Sequence, residues 1–159
     1  MKRFLFSALT FLGIFSAYAA QEPVDYVNPL TGTLSKFELS TGNNYPVIAM
    51  PWGMNFWTPQ TGMDGDGWQY TYTADKIRGF KQTHQPSPWM NDYGMFSLMP
   101  VTDVCTLDQE KRASWFCHKG EEAKPYYYKV YLADYDITTE IVPTERAAMF
   151  RFTFSESED

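Results

Sequence analysis

Apolar and polar residues alternate most regularly in the last third of the chain. Tyr126, Tyr128, Val130 and Leu132 share one parity. Ile137, Thr139 and Ile141 form a second stretch, and Ala148, Phe150, Phe152 and Phe154 a third, with Met149, Arg151 and Thr153 opposite them. A period of two marks a strand that buries one face. The connecting Asp134-Tyr135-Asp136 and Pro143-Thr144-Glu145-Arg146 are rich in turn formers, so the pattern predicts an antiparallel meander. Upstream, residues 45–58 are apolar and aromatic but broken by Pro46, Pro51 and Gly53, which excludes a regular helix and predicts short or bulged strands. Trp68-Gln69-Tyr70-Thr71-Tyr72 alternates like a strand. Residues 40–44 and 60–67 read as loops, and residues 81–93, polar with Pro86 and Pro88, as a long ordered loop. No stretch carries helical amphipathicity. The predicted fold is all-β, an antiparallel β-sandwich.

The first residues follow a different pattern. Lys2 and Arg3 precede an apolar run over residues 4–15, and Ala17-Tyr18-Ala19 is a small-residue cleavage pattern. This order predicts a signal peptide over residues 1–19, with the mature domain spanning 20–159. The apolar run is short for a membrane span. Loss of Lys2 and Arg3 takes the formal charge from −6 to −8.

The acidic balance, with no basic stripe, excludes phosphate-backbone recognition, so nucleic acid is not an expected partner. Of the two cysteines, Cys105 and Cys117, either a disulfide closing a small loop or two free thiols fits an exported chain. There is no C-x-x-C, H-E-x-x-H, G-x-S-x-G or phosphate loop. What the chain does have is an aromatic content of 18% and a set of aromatic and amide residues among its loops: Asn43, Asn44, Trp52, Trp57, Trp68, Gln82, His84, Trp89, Asn91 and Asp92. Flat rings meet the C–H patches of sugars, and planar amides and carboxylates meet their hydroxyls. Trp52 and Trp57, inside the apolar run, are expected in the core. Trp68 and Trp89, beside loops, are the expected sugar platforms. His84 is expected to hydrogen-bond substrate or a neighbouring domain, and no metal ligand is predicted. Arg78 fits either a carboxylate clamp or a surface charge. Asp64 and Asp66 lack calcium-loop spacing and read as a turn.

The order of these residues carries a resemblance. Tyr26-Val27-Asn28-Pro29-Leu30-Thr31-Gly32-Thr33 is similar to the opening motif of family 92 glycoside hydrolases. Gly42-Asn43-Asn44-Tyr45-Pro46, Ala49-Met50-Pro51-Trp52-Gly53-Met54 and Thr58-Pro59 resemble a second motif. Gly67-Trp68-Gln69-Tyr70, Ile77-Arg78-Gly79-Phe80-Lys81-Gln82-Thr83-His84, Asp92-Tyr93-Gly94 and Leu98-Met99-Pro100 resemble a third. Residues 34–40 depart from the family's Gly/His-rich loop. The resemblance implies an exported bacterial exo-α-mannosidase that inverts configuration and depends on calcium. It implies an N-terminal β-sandwich packed on a C-terminal helical domain that holds both catalytic carboxylates and most of the calcium shell. On this reading the chain is an incomplete sandwich, probed by a mannose-containing glycan and partnered by the helical domain. Its expected substrate-binding residues are Trp68, Gln82, His84, Trp89, Asn91 and Asp92, with no catalytic residue or metal ligand of its own. The expected location is the periplasm, cell surface or medium. A free-standing module that binds mannose-type glycans without cleaving them is the alternative.

Overall fold

The computed structural model describes residues 21–34, 38, 44–63, 69–83, 96–103 and 105–156. They form an all-β structure of antiparallel sheets with no α-helix among them. Strand β1 (Phe56–Gln60) pairs with β3 (Gly79–Thr83), which pairs with β4 (Ser97–Leu98). Strand β2 (Lys76–Ile77) pairs with β5 (Ser114–Trp115). The four-stranded sheet runs in chain order through β6 (Glu122–Lys124), β7 (Tyr127–Leu132), β8 (Ile137–Pro143) and β9 (Ala148–Phe154). Short 3-10 turns occupy Pro23–Tyr26 and His118–Gly120.

The predicted meander is β7 to β9. Its register aligns Val130 with Thr139 and Phe152, and Leu132 with Ile137 and Phe154. Tyr128, Val130, Leu132, Ile137, Thr139 and Ile141 are fully buried, whereas Phe150 and Phe152 are half-buried. The two predicted turns close the hairpins. Asp136 adopts φ +52°, and Thr144 N–H donates to the Ala147 carbonyl at 2.7 Å. Tyr126 departs from the expected face: it lies in the tight turn before β7 and is exposed.

The sheets face each other across an aromatic seam. Phe150 meets Trp57 edge-on at 4.9 Å, and Phe80 meets Tyr128 at 6.3 Å. Such edge-to-face pairs suit the ring quadrupole and add to the burial of large apolar side chains. Pro59 sits inside β1 without loss because β1 is an edge strand, so its missing N–H removes no ladder bond. Gly79 is fixed by the crossing of β3 and β4: a Cβ there would lie 1.9 Å from Ser97 Oγ.

Several expectations are corrected. Trp52 is not in the core but fully exposed, on a tight turn where it takes φ +61°; Trp57 is buried as expected. Residues 69–72 form no strand. Their backbone instead braces other segments, with Thr61 N–H donating to the Gln69 carbonyl and Tyr72 N–H to the Thr33 carbonyl. The alternation there reflects Tyr70 turned into the core and not a ladder. Residues 81–83 belong to β3 rather than to a loop. Their polarity misleads because Lys81 and Thr83 are buried polar residues. Of the two alternatives for Cys105 and Cys117, the structure has free, exposed thiols.

Candidate functional site

Strand β3 delivers the first of the predicted sugar contacts. Gln82 is half-buried and lies opposite Trp57, so both project from the core-side face of the sheet. The Trp57 indole N–H donates to Asn55 Oδ1, and Asn55 Nδ2 reaches the Thr144 carbonyl at 3.5 Å. Trp57 also meets Phe96 edge-on at 6.0 Å. The indole is therefore satisfied and packed, and it holds the end of β3 in place. Trp68, His84, Trp89, Asn91 and Asp92, together with Asn43, Asp64 and Asp66, lie outside the described residues. Of the predicted set, only Gln82 can be placed.

The opposite face of the same sheet is polar yet buried. Thr58, Lys81 and Ser97 stand side by side across β1, β3 and β4, and Thr83 and Gln60 flank them. Thr58, Gln60, Lys81 and Thr83 are each at most 2% exposed. Buried polar groups of this kind hold hydrogen-bonded layers together or hold ligands.

The first two motifs meet at Gly32. Its φ is +84°, and a Cβ there would stand 2.3 Å from Asn44 Nδ2, so only glycine fits. Thr33 donates its hydroxyl and its N–H to the Leu30 carbonyl at 2.8 and 3.1 Å. Beside it Tyr45 is buried, and burial pushes its hydroxyl well above the usual phenol range. The spacing of the motifs thus reflects loops that brace each other.

A buried polar cluster was not legible in the sequence. The Glu121 side chain is fully buried. It accepts hydrogen bonds from Tyr70 Oη at 3.0 Å and Tyr128 Oη at 2.7 Å, and its Oε2 lies 2.6 Å from His118 Nδ1. His118 Nε2 lies 2.7 Å from the Tyr72 carbonyl, and its ring stacks on that of Tyr72 at 3.9 Å and 3°. A carbonyl only accepts, so Nε2 carries a hydrogen. Both hydroxyls point at the Glu121 carboxyl, so one buried acceptor serves two tyrosines as well as facing the imidazole. Desolvation, followed by the Glu121 charge, drives the Tyr70 and Tyr128 hydroxyls well above their usual range. The one available signal was the His-x-x-Glu spacing in front of a tyrosine-rich strand.

Among the remaining carboxylates, Glu140 is held as an anion. Arg151 and Tyr127 both donate to Glu140 and pull its pKa down to about 2. Arg78 donates through Nε and Nη2 to Glu110 at 3.0 and 2.7 Å and also to the Thr61 carbonyl, so it is an internal tie and neither a free clamp nor a loose charge. Inverting glycoside hydrolysis needs one carboxyl kept protonated opposite another that activates water. Glu140, held ionised, does not meet the first requirement. Among the described residues no group of three or more His, Cys, Asp or Glu could hold a metal ion. The described residues of the site brace one another.

Comparison with known proteins agrees with this architecture. The glycosyl hydrolase family 92 N-terminal domain matches residues 26–159. The family 92 inverting mannosidase of Bacteroides thetaiotaomicron VPI-5482 is 50% identical and covers 87% of this chain with a TM-score of 0.78. A family 92 α-mannosidase of the same species, solved with mannoimidazole, is 34% identical over 85% of the chain with a TM-score of 0.71. A further family 92 glycosyl hydrolase, at 24% identity and a TM-score of 0.70, supports the fold alone. The chain spans only 19% and 18% of the length of the first two. No protein with a curated description matches the chain. On the family match and the identity to solved members, the chain belongs to glycosyl hydrolase family 92, as its N-terminal domain.

Proposed function

We propose that this chain is the carbohydrate-pocket and scaffold domain of an exported α-mannosidase that releases terminal α-mannose from glycans with inversion. The observation that carries the reading is the 50% identity, over 87% of this chain, to a solved inverting mannosidase. In this reading the domain supplies sugar contacts from Trp68, Gln82, His84, Trp89, Asn91 and Asp92, and a helical domain supplies the acid, the base and the calcium shell. The engaged state of Glu121, Glu140 and Glu110 supports a non-catalytic role for the described residues. Calcium enters at the level of the family, and no ligand for it is assigned to this chain. Export through residues 1–19 places the enzyme in the periplasm, at the cell surface or in the medium. No helix of the described residues is long and apolar enough to cross a membrane.

The test is hydrolysis of an aryl α-mannoside by residues 20–159 alone and by the same residues co-expressed with a helical domain from a relative, each with and without calcium. Mannose release is expected only from the combination. Calcium-dependent release by residues 20–159 alone would overturn the assignment of roles. In the combination, Trp68→Ala and Trp89→Ala should each weaken substrate binding by about 1–3 kcal/mol, the worth of burying a large apolar side chain. Unchanged KM and kcat in both would remove them from the pocket.

A further inference from the structure

The outer face of the four-stranded sheet carries aromatic rings that the core does not use. Tyr127 and Tyr131 point outward from β7, on the opposite parity from the buried Tyr128, Val130 and Leu132. Trp115 extends the row, because Ala133 N–H donates to the Trp115 carbonyl at 2.9 Å and joins β5 to the end of β7. Trp115 and Tyr131 are 48% and 44% exposed, too open for core residues. A groove of about 310 Å³ runs between them, and a second of about 260 Å³ lies beside Tyr127.

Each ring is held in position. Tyr131 donates to Asp136 Oδ1 at 2.6 Å, Tyr127 donates to Glu140 Oε1 at 2.6 Å, and the Lys76 ammonium sits 4.9 Å from the Trp115 ring. With the tyrosine hydroxyls tied down and Lys76 over one face of the Trp115 ring, the rings are pre-organised, and a ligand would stack on the other Trp115 face, which lowers the entropy cost of binding. Tyr127 and Tyr131 are four residues apart, so they stand about 13 Å apart along the strand, the reach of a short oligosaccharide. Four cations (Lys76, Lys124, Lys129, Arg151) balance four anions (Glu122, Asp134, Asp136, Glu140) in and around the row. A balanced field with planar donors and acceptors between aromatic faces suits a neutral polyhydroxylated ligand better than an anion or an apolar helix.

We propose that this face is a glycan-binding platform that holds a neutral oligosaccharide along β7 by stacking on Trp115, Tyr131 and Tyr127. Gln82, the one described member of the set predicted from sequence, is in the other sheet. That the sugar is an α-mannan rests on the proposed function, whereas the stacking geometry does not.

The experiment is affinity electrophoresis of the complete protein through gels containing α-mannan or β-glucan, with isothermal titration of α-mannooligosaccharides. Retardation by α-mannan is expected. Trp115→Ala and Tyr131→Ala should each raise Kd by about tenfold or more, and Tyr131→Phe, which keeps the ring, should retain most of the binding. Hydrolysis of a small aryl α-mannoside should be unchanged in all three, which separates this platform from the loop residues assigned to the pocket. Circular dichroism checks that each variant is folded. Retardation by β-glucan alone would keep the platform and overturn mannan as its ligand. Absence of retardation in both gels, or variants that bind like the parent, would overturn the proposal and leave the face to another part of the enzyme or to a second copy.

Discussion

The buried Glu121 carboxylate ties together three segments that share no backbone ladder: Tyr70 from the loop after β1, the 3-10 turn with His118, and Tyr128 from β7. Glu121→Ala would remove the acceptor and leave two hydroxyls and one ring nitrogen inside the protein. Each buried hydrogen-bonding group left without its partner costs about 1–3 kcal/mol. Each hydrogen bond to a charged group is worth about 1.5–3 kcal/mol, but the bonds share one acceptor, so their worths do not add. We therefore expect a loss of about 3–5 kcal/mol, a large part of the roughly 5–15 kcal/mol that holds a domain folded. At a few degrees per kcal/mol for a domain of this size, Tm should fall by roughly 10–20 °C. Urea denaturation followed by near-UV circular dichroism reads the loss directly, with the exposed Glu122→Ala as a control expected within about 0.5 kcal/mol. Tyr70→Phe and Tyr128→Phe should each cost less than Glu121→Ala. In a double-mutant cycle, either should cost little once Glu121 is gone. A loss below about 1 kcal/mol for Glu121→Ala, or full additivity with Tyr128→Phe, would refute the idea that the carboxylate organises this cluster.

Other outcomes follow from single contacts. Gly79→Ala should destabilise by about 1–3 kcal/mol through overpacking against Ser97, and the added Ser97→Gly should recover part of the loss in the same urea assay. Gly32→Ala should cost roughly 1–2 kcal/mol for a left-handed residue, with a further penalty from Asn44 that Asn44→Ala relieves; equal stability of Gly32→Ala and the parent would contradict the geometry. Glu140 has its pKa lowered by Arg151 and Tyr127 to about 2. Its contribution is therefore complete above the ordinary carboxylate pKa and is lost as pH falls toward 2. Thermal melts should show Glu140→Gln losing most relative to the parent near neutral pH, with the gap closing between about pH 4.5 and 2, and a gap that stays constant across that range would reject the ion pair as its source. N-terminal sequencing of the exported protein should begin at or next to Ala20, and retention of Met1 would reject the signal peptide.

Legibility in the sequence followed the physics of each segment. The meander was readable because one face of β7 and β8 is buried and the other is wet, so hydropathy alternates with the pleat. The β1–β3–β4 sheet was not, because its second face is buried and polar. Lys81 and Thr83 look like loop residues when only hydropathy is read, yet each is at most 2% exposed. The two-residue strands β2, β4 and β5 are too short to show any period. Trp52 was misplaced because an apolar neighbourhood in sequence says nothing of a turn that swings a ring outward. At the site, the motifs located the loops, and Gly32 with Asn44 shows how two of them meet: one backbone position must be bare for the other side chain to pass. The Glu121 cluster was hidden because its three partners come from three places in the chain and only the fold joins them.

The two kinds of aromatic residue in this domain separate by how their polar edges are satisfied. Trp57, Tyr70 and Tyr128 bury both ring and heteroatom, with partners at Asn55 and Glu121, and they set the distance between the sheets. Trp115, Tyr127 and Tyr131 have fixed positions but leave ring surface at the outer face. A residue needed only for packing gains nothing from an exposed face, because the apolar area left in water costs about 25 cal/mol per Å². Trp52 presents the same contrast more sharply. It is fully exposed on a left-handed turn whose backbone is itself unfavourable for a bulky residue. Its ring therefore adds nothing to the packing of the described residues, in contrast to Trp57.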